Sequence, residues 1–254
     1  MKKIKANGVI LFSFLFLINN YTNILAQSLP EMVKVEGGTF VMGGDSSKGN
    51  TEARPAHTVT LTTFYMAKTP TTIVQWRTFC NATGRPMPDT PSWGWHDNDP
   101  IVFINRFDAI AYCSWLCGKT GKIYRLPTEA EFEYAAKGGN KSKGYKYSGS
   151  DSLNDCGWYR DNSEKHAHPV AMKMPNELGL YDMSGNVWEW CSDWFGRYDS
   201  LPSTNPKGPP GAKLCVIRGG SWNEMAPFER VVCRGSLSPL VAFGVFGFRV
   251  VLEE

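Results

Sequence analysis

The chain has little of what several protein classes require. Its apolar run GVILFSFLFLI, residues 8–18, falls short of the roughly 20 residues that a membrane-spanning helix needs. Charge of either sign is not in excess: the net charge is +3 and falls further if the N-terminal lysines are removed, so neither nucleic acid nor an anionic membrane is implied as a partner. There are only four histidines, at 57, 96, 166 and 168, which leaves few imidazoles for a metal centre. No glycine-rich phosphate loop, nucleophile elbow or paired-carboxylate motif occurs, and no repeat, heptad or linker divides the sequence.

What is present begins with an address. Lys2, Lys3 and Lys5 precede the short apolar run, and residues 25–28 read Leu-Ala-Gln-Ser, so residues 1–27 are predicted to be a signal peptide cleaved after Ala26 or Gln27. No cysteine lies near that junction, so a lipid anchor is not supported. The remainder, residues 28–254, is long enough for one domain with a full core. The mature protein is expected to be exported, periplasmic or secreted, with no membrane span after signal removal.

The composition of that domain, with 25 glycines, 16 prolines and nine tryptophans, predicts an aromatic core under many loops. All seven cysteines survive signal removal, and an odd number leaves at least one thiol free. Buried, apolar thiols are the expectation for most, since no second ligand pair accompanies Cys113 and Cys117. Strands are predicted at 33–36 and 39–42, as a hairpin around Gly37-Gly38, and at 57–65, 216–222 and 247–252. Short amphipathic helices are predicted over 71–80 and 106–117. Thr128 followed by Glu131 is a capping box, with the helix stopped at Gly138.

The stretch GLYDMSGNVWEWCSDW, residues 179–194, concentrates the strongest signals. Ser184-Gly185-Asn186 marks a turn, since Gly and Asn tolerate positive φ, and Trp188, Trp190 and Trp194 need a core to cover their rings. A turn so fixed serves either as a structural corner or as an all-oxygen site for a hard cation such as calcium. Asp182 and Glu189 are the candidate carboxylates, with the carbonyls of Gly185 and Val187 between them. Elsewhere, Asp97 and Asp99 beside Trp93 and Trp95 suggest a groove for sugar or peptide, although core packing accounts equally well for the rings. His166 and His168 lie in a polar loop, where a solvated pair is favoured over a metal site.

Five blocks in order, MVKVEGGTFVMGG, RLPTEAEFEYAA, PNELGLYDMSGNVWEWCSDW, IRGGSW and GFRVV, resemble the formylglycine-generating enzyme family, also called the sulfatase-modifying-factor family. The resemblance spans nearly all of the mature chain. It implies an α+β, C-type-lectin-like fold with short helices, twisted antiparallel strands and many loops. It also implies a structural calcium held by Asp182, Gly185, Val187 and Glu189, where the family often has Asn at the first place. A second family calcium site finds no match at Cys156-Gly157-Trp158-Tyr159.

Catalysis is where the chain departs from the family pattern. Active members resembling it use two cysteines after the Gly-Gly-Ser-aromatic block to bind copper(I) and the substrate thiol, and soft thiolates suit that metal. Here Gly219-Gly220-Ser221-Trp222 is followed by NEMAPFERVVCRG: Glu224 stands at the first cysteine's place and residues 225–229 hold none. Cys215 and Cys233 flank the loop and do not rebuild the pair, so copper is not expected and no catalytic residue is assigned. An iron-dependent branch of the family uses histidines from an added helical domain that this chain lacks. The expectation is a binding or scaffold module in the bacterial envelope, its partner an unidentified protein or glycan; the alternative is an oxidoreductase, either a formylglycine-generating oxidase or another oxidation on the same scaffold.

Overall fold

A computed structural model describes residues 29–44 and 51–254; the expected signal peptide lies outside the described residues. Three small sheets carry the architecture. The first runs β1 (Met32–Val35), β4 (Phe64–Ala67), β11 (Val251–Leu252), β5 (Tyr124–Arg125), all antiparallel. The second runs β10 (Phe246–Gly247), β6 (Trp188–Trp194), β8 (Cys215–Arg218), β9 (Arg234–Leu237). The third joins β2 (Gly38–Met42), β3 (His57–Leu61) and β7 (Ser203–Thr204). The helices are α1 (Ile73–Thr83), α2 (Arg106–Thr120), α3 (Glu129–Ala136) and the single turn α4 (Leu153–Cys156).

Several details correct the sequence reading. The Gly37-Gly38 hairpin does not form, because neither glycine adopts the positive φ that a tight hairpin turn requires. The backbone at Gly37 instead runs so close to Leu61 that a Cβ would lie 2.5 Å from its carbonyl oxygen, and β1 and β2 enter different sheets. The strands are also not all antiparallel: β10 pairs with β6, and β7 with β3, in parallel. The run 57–65 is two strands, β3 and β4, broken where the Thr62 N–H donates to Asn205 Oδ1. The run 247–252 is likewise divided, and 216–222 ends as a strand at Arg218.

The helices form where local chemistry dictates. Asn105 caps α2 by accepting from the N–H groups of Phe107 and Asp108, and Gly121 ends it in the left-handed conformation. At α3, Thr128 Oγ1 accepts from the Glu131 N–H while Glu131 Oε2 accepts from the Thr128 N–H, the reciprocal box predicted from sequence. All eight residues of α3 are buried, three glutamates among them. Arg218 pairs with Glu133, Lys137 Nζ with Glu133 at 2.7 Å, and Arg234 with Glu129, so these acids enter the core with counter-charges.

Two cores result. One packs Trp76 and Phe79 of α1 and Tyr112 of α2 with Phe248 and with Trp190 of β6; the other packs Phe132 and Ala135 of α3 against β2, β3 and β8. The cysteines follow the sequence reading: all seven are unpaired, six buried and Cys117 half-buried. No helix among the described residues is long and apolar enough to cross a membrane.

Candidate functional site

The four groups singled out for calcium lie along the turn that leads into β6 and at its second residue. Asp182, Gly185 and Asn186 take φ values of 55°, 92° and 67°, and Gly185 packs so tightly on Trp158 that a Cβ would meet its carbonyl oxygen at 2.3 Å. Asp182 Oδ2 accepts from the Ala171 N–H at 2.8 Å and Oδ1 from the Asn186 amide at 3.3 Å. The Gly185 carbonyl accepts from the Val187 N–H. Glu189, fully buried, accepts from the fully buried Arg249 through Nε and Nη2, and Nη2 also donates to the carbonyls of Tyr181 and Asp182.

The charges around this turn do not balance. Two buried carboxylates lie together with one buried guanidinium, and burial pushes the carboxyls of Asp182 and Glu189 up despite Arg249 beside them. With both carboxyls ionised the turn would be one positive charge short, and Asp182 Oδ1 and Oδ2 and Glu189 Oε2 each take a single hydrogen bond, leaving a lone pair on each oxygen. Carboxylate and carbonyl oxygens are the kind of donor that a hard cation takes. Among the described residues no three His, Cys, Asp or Glu side chains converge as a metal-binding group, so backbone carbonyls would have to complete the set.

This turn is bound to the block that follows β8. The Gly185 N–H donates to the Gly219 carbonyl and the Trp222 N–H to the Asn186 carbonyl. Gly219 and Gly220, at φ of 96° and 79°, swing the chain out of β8, and the loop then folds back until Glu229 is fully buried. Glu229 Oε1 accepts from the Ser221 N–H at 3.0 Å, while Oε2 is buried with no hydrogen-bond partner. Burial pushes this carboxyl well above the usual range against that one backbone donor. Glu224 is half-buried, its N–H on the Ser221 carbonyl.

The two flanking cysteines, both free and buried, do not form a pair at this loop. Cys233 Sγ donates to the Pro227 carbonyl at 3.0 Å, and burial raises its thiol. Cys215 pairs with Leu237, at the end of the β8–β9 ladder away from Arg218.

Beside the loop lies an aromatic and imidazole face. Trp222 meets Trp93 edge-on at 5.6 Å, His166 and His168 lie 4.3 Å apart, and His168 stacks on Trp158 at 3.8 Å. These histidines are half-buried and packed, not the solvated pair expected from their polar segment. Asp97 and Asp99 do not share a groove: Asp97 is held by Arg77, while Asp99 turns inward to His96 Nδ1 at 3.0 Å and leaves Oδ1 buried without a partner. Sequence reasoning missed Arg249, Glu229 and His96. The one available signal was a lone arginine inside the apolar run GFRVV.

Comparisons with known proteins agree with this fold. Residues 21–254 match the model of the Sulfatase-modifying factor enzyme 1-like domain. The formylglycine-generating enzyme of Streptomyces coelicolor is 33% identical over 283 residues, covering 85% of this chain and 87% of the relative. PvdO from Pseudomonas aeruginosa superposes with a TM-score of 0.78 at 29% identity, over 89% of this chain and 95% of that one. Treponema denticola variable protein 1 superposes at 0.77 with 27% identity, over 88% and 95% of the two chains.

Proposed function

The chain belongs to the sulfatase-modifying factor family and has its C-type-lectin-like fold, and on that premise we propose that it is an exported binding or scaffold module of the bacterial envelope rather than a formylglycine-generating oxidase. One observation carries the proposal. In the loop where active members of the family are expected to hold two thiols, this chain places Glu224 and a buried Glu229 bonded to the Ser221 backbone. Carboxylates are hard oxygen donors and do not suit copper(I) as thiolates do. Export rests on the three lysines and the apolar run at the N-terminus.

The surface offered to a partner is the face of Trp93, Trp222, Trp158, His166 and His168, where rings and imidazoles suit a protein or glycan. Asp182, Glu189 and the carbonyls of Gly185 and Val187 would hold a structural calcium, which would supply the missing positive charge beneath that face.

The likeness to a named formylglycine-generating enzyme over 85% of the chain favours the second reading, the oxidase. Mass spectrometry of a peptide carrying the sulfatase cysteine motif decides between them, after incubation with the protein, copper and reductant. No conversion is expected while a known active enzyme converts the same peptide alongside; conversion to formylglycine establishes the oxidase.

A further inference from the structure

Away from the loop and turn described above, a cavity of about 480 Å³ opens between the end of β6, the start of α3 and residues 196–209, lined by His57, Asp193, Trp194, Tyr198 and Gly208 among others. Arg234 also lines it, its guanidinium donating to Glu129 and to the carbonyls of Glu52 and Gly196, and the inner groups that face the space beside it are hydrogen-bond acceptors. Asp193 is 4% exposed; its Oδ2 accepts from the Glu129 N–H and from Ser192 Oγ, both at 3.0 Å. Among the described residues Oδ1 receives no hydrogen bond, and it faces Gly208, where a Cβ would lie 3.3 Å from it. His57 Nδ1 sits 3.1 Å from the Pro55 carbonyl, so that nitrogen carries a proton and in the neutral ring Nε2 is the acceptor.

The donors nearby are already engaged. The Tyr198 hydroxyl donates to Glu129 Oε1, and the Arg234 guanidinium donates to Glu129 and to the carbonyls of Glu52 and Gly196. Arg197 and Lys207 are exposed at the rim. The charged groups acting on Asp193 itself are Glu129 and Glu131, both acids. A cavity with an acidic floor of free acceptors and walls of Trp194 and Tyr198 selects a ligand that brings a positive donor on an apolar body.

We propose that this cavity binds a small primary ammonium compound with an apolar or aromatic body, with Asp193 Oδ1 as counter-ion, His57 Nε2 as a second acceptor, and Trp194 and Tyr198 against the body. Burial, and then Glu129, push the Asp193 carboxyl up to about 7. The counter-ion therefore forms as pH rises through 7, and binding tightens with it.

The test is a titration of the protein with 2-phenylethylamine, followed by calorimetry and by backbone amide shifts at pH 6 and pH 8, with 2-phenylethanol and 3-phenylpropionate as neutral and anionic comparators. The amine is expected to bind with shifts confined to residues around 57 and 193–208, about tenfold more tightly at pH 8 than at pH 6, the ratio of ionised Asp193 at those two values. Asp193→Asn, which keeps an acceptor for the Glu129 N–H, is expected to weaken the amine about tenfold at pH 8 and abolish the pH dependence. No amine binding at millimolar concentration, equal binding of alcohol or acid, or shifts elsewhere in the protein overturns the proposal without recourse to the variant.

Discussion

Glu229 lies against Gly220 so closely that a Cβ at residue 220 would stand 2.0 Å from Oε2. The bare backbone of one residue is thus what lets the carboxyl of the other be buried, nine residues along the same loop. This contact closes the loop over the position where family enzymes are expected to present thiols, so glycine and glutamate form one structural unit.

Gly220→Ala is expected to destabilise the fold by at least about 2 kcal/mol, because it adds both a left-handed backbone cost and a clash. Glu229→Gln keeps the acceptor for the Ser221 N–H and should be nearly neutral at pH 5. With a folded pKa raised above the unfolded one, Glu229 holds its proton in the native state after the unfolded chain has lost it, so stability falls as pH rises above the usual carboxylate range. Chemical denaturation from pH 4 to 9 should show that decline in the parent and a shallower one in the variant.

Asp193 makes the same kind of contribution over a narrower window. Its carboxyl is raised from 3.8 to about 7, so the native state loses stability between about pH 4 and pH 7 and no further above that. Asp193→Asn should gain on the order of 4 kcal/mol relative to the parent at pH 8 and none at pH 4. A constant difference across that range would mean that the carboxyl titrates normally.

Breaking the Arg249–Glu189 pair from one side is expected to cost about 3–5 kcal/mol, since either group alone is left charged in the core. Arg249→Met should be the worse of the two single changes, because it leaves both Asp182 and Glu189 without a cation. Arg249→Met combined with Glu189→Met should cost less than the sum of the singles, and urea unfolding of all three variants measures the coupling.

If calcium completes the turn, excess chelator should lower the melting temperature by several degrees, and calcium should be measurable in the purified protein. Asp182→Ala should abolish the chelator effect. An unchanged melt, with no metal in the protein, would leave Arg249 as the sole cation of the turn.

Local features were legible in the sequence and distant ones were not. The Thr128–Glu131 capping box and the turn at Ser184-Gly185-Asn186 involve residues within a few positions of each other, and both formed as expected. The Gly37-Gly38 pair misled because glycine permits a turn without imposing one, and here β4, not β2, is the partner of β1. Arg249 and Glu189 are 60 residues apart, and nothing local to either marks it as buried. In NEMAPFER, two glutamates of identical chemistry end in different places, Glu224 half-buried and Glu229 inside. Only the return of the loop to Ser221 distinguishes them.

The position of β11 bears on the order in which the molecule is assembled. Val251 and Leu252 pair on one side with Met66 and Tyr65 and on the other with Arg125 and Tyr124, so the centre of the first sheet is made from the last strand in the chain. Until those two residues arrive, β4 and β5 face a gap and the core behind them stays open to water. The first sheet therefore cannot close around β11 until residues 251–252 are in place, and its closure joins segments that lie as far apart in the chain as Met66 and Val251.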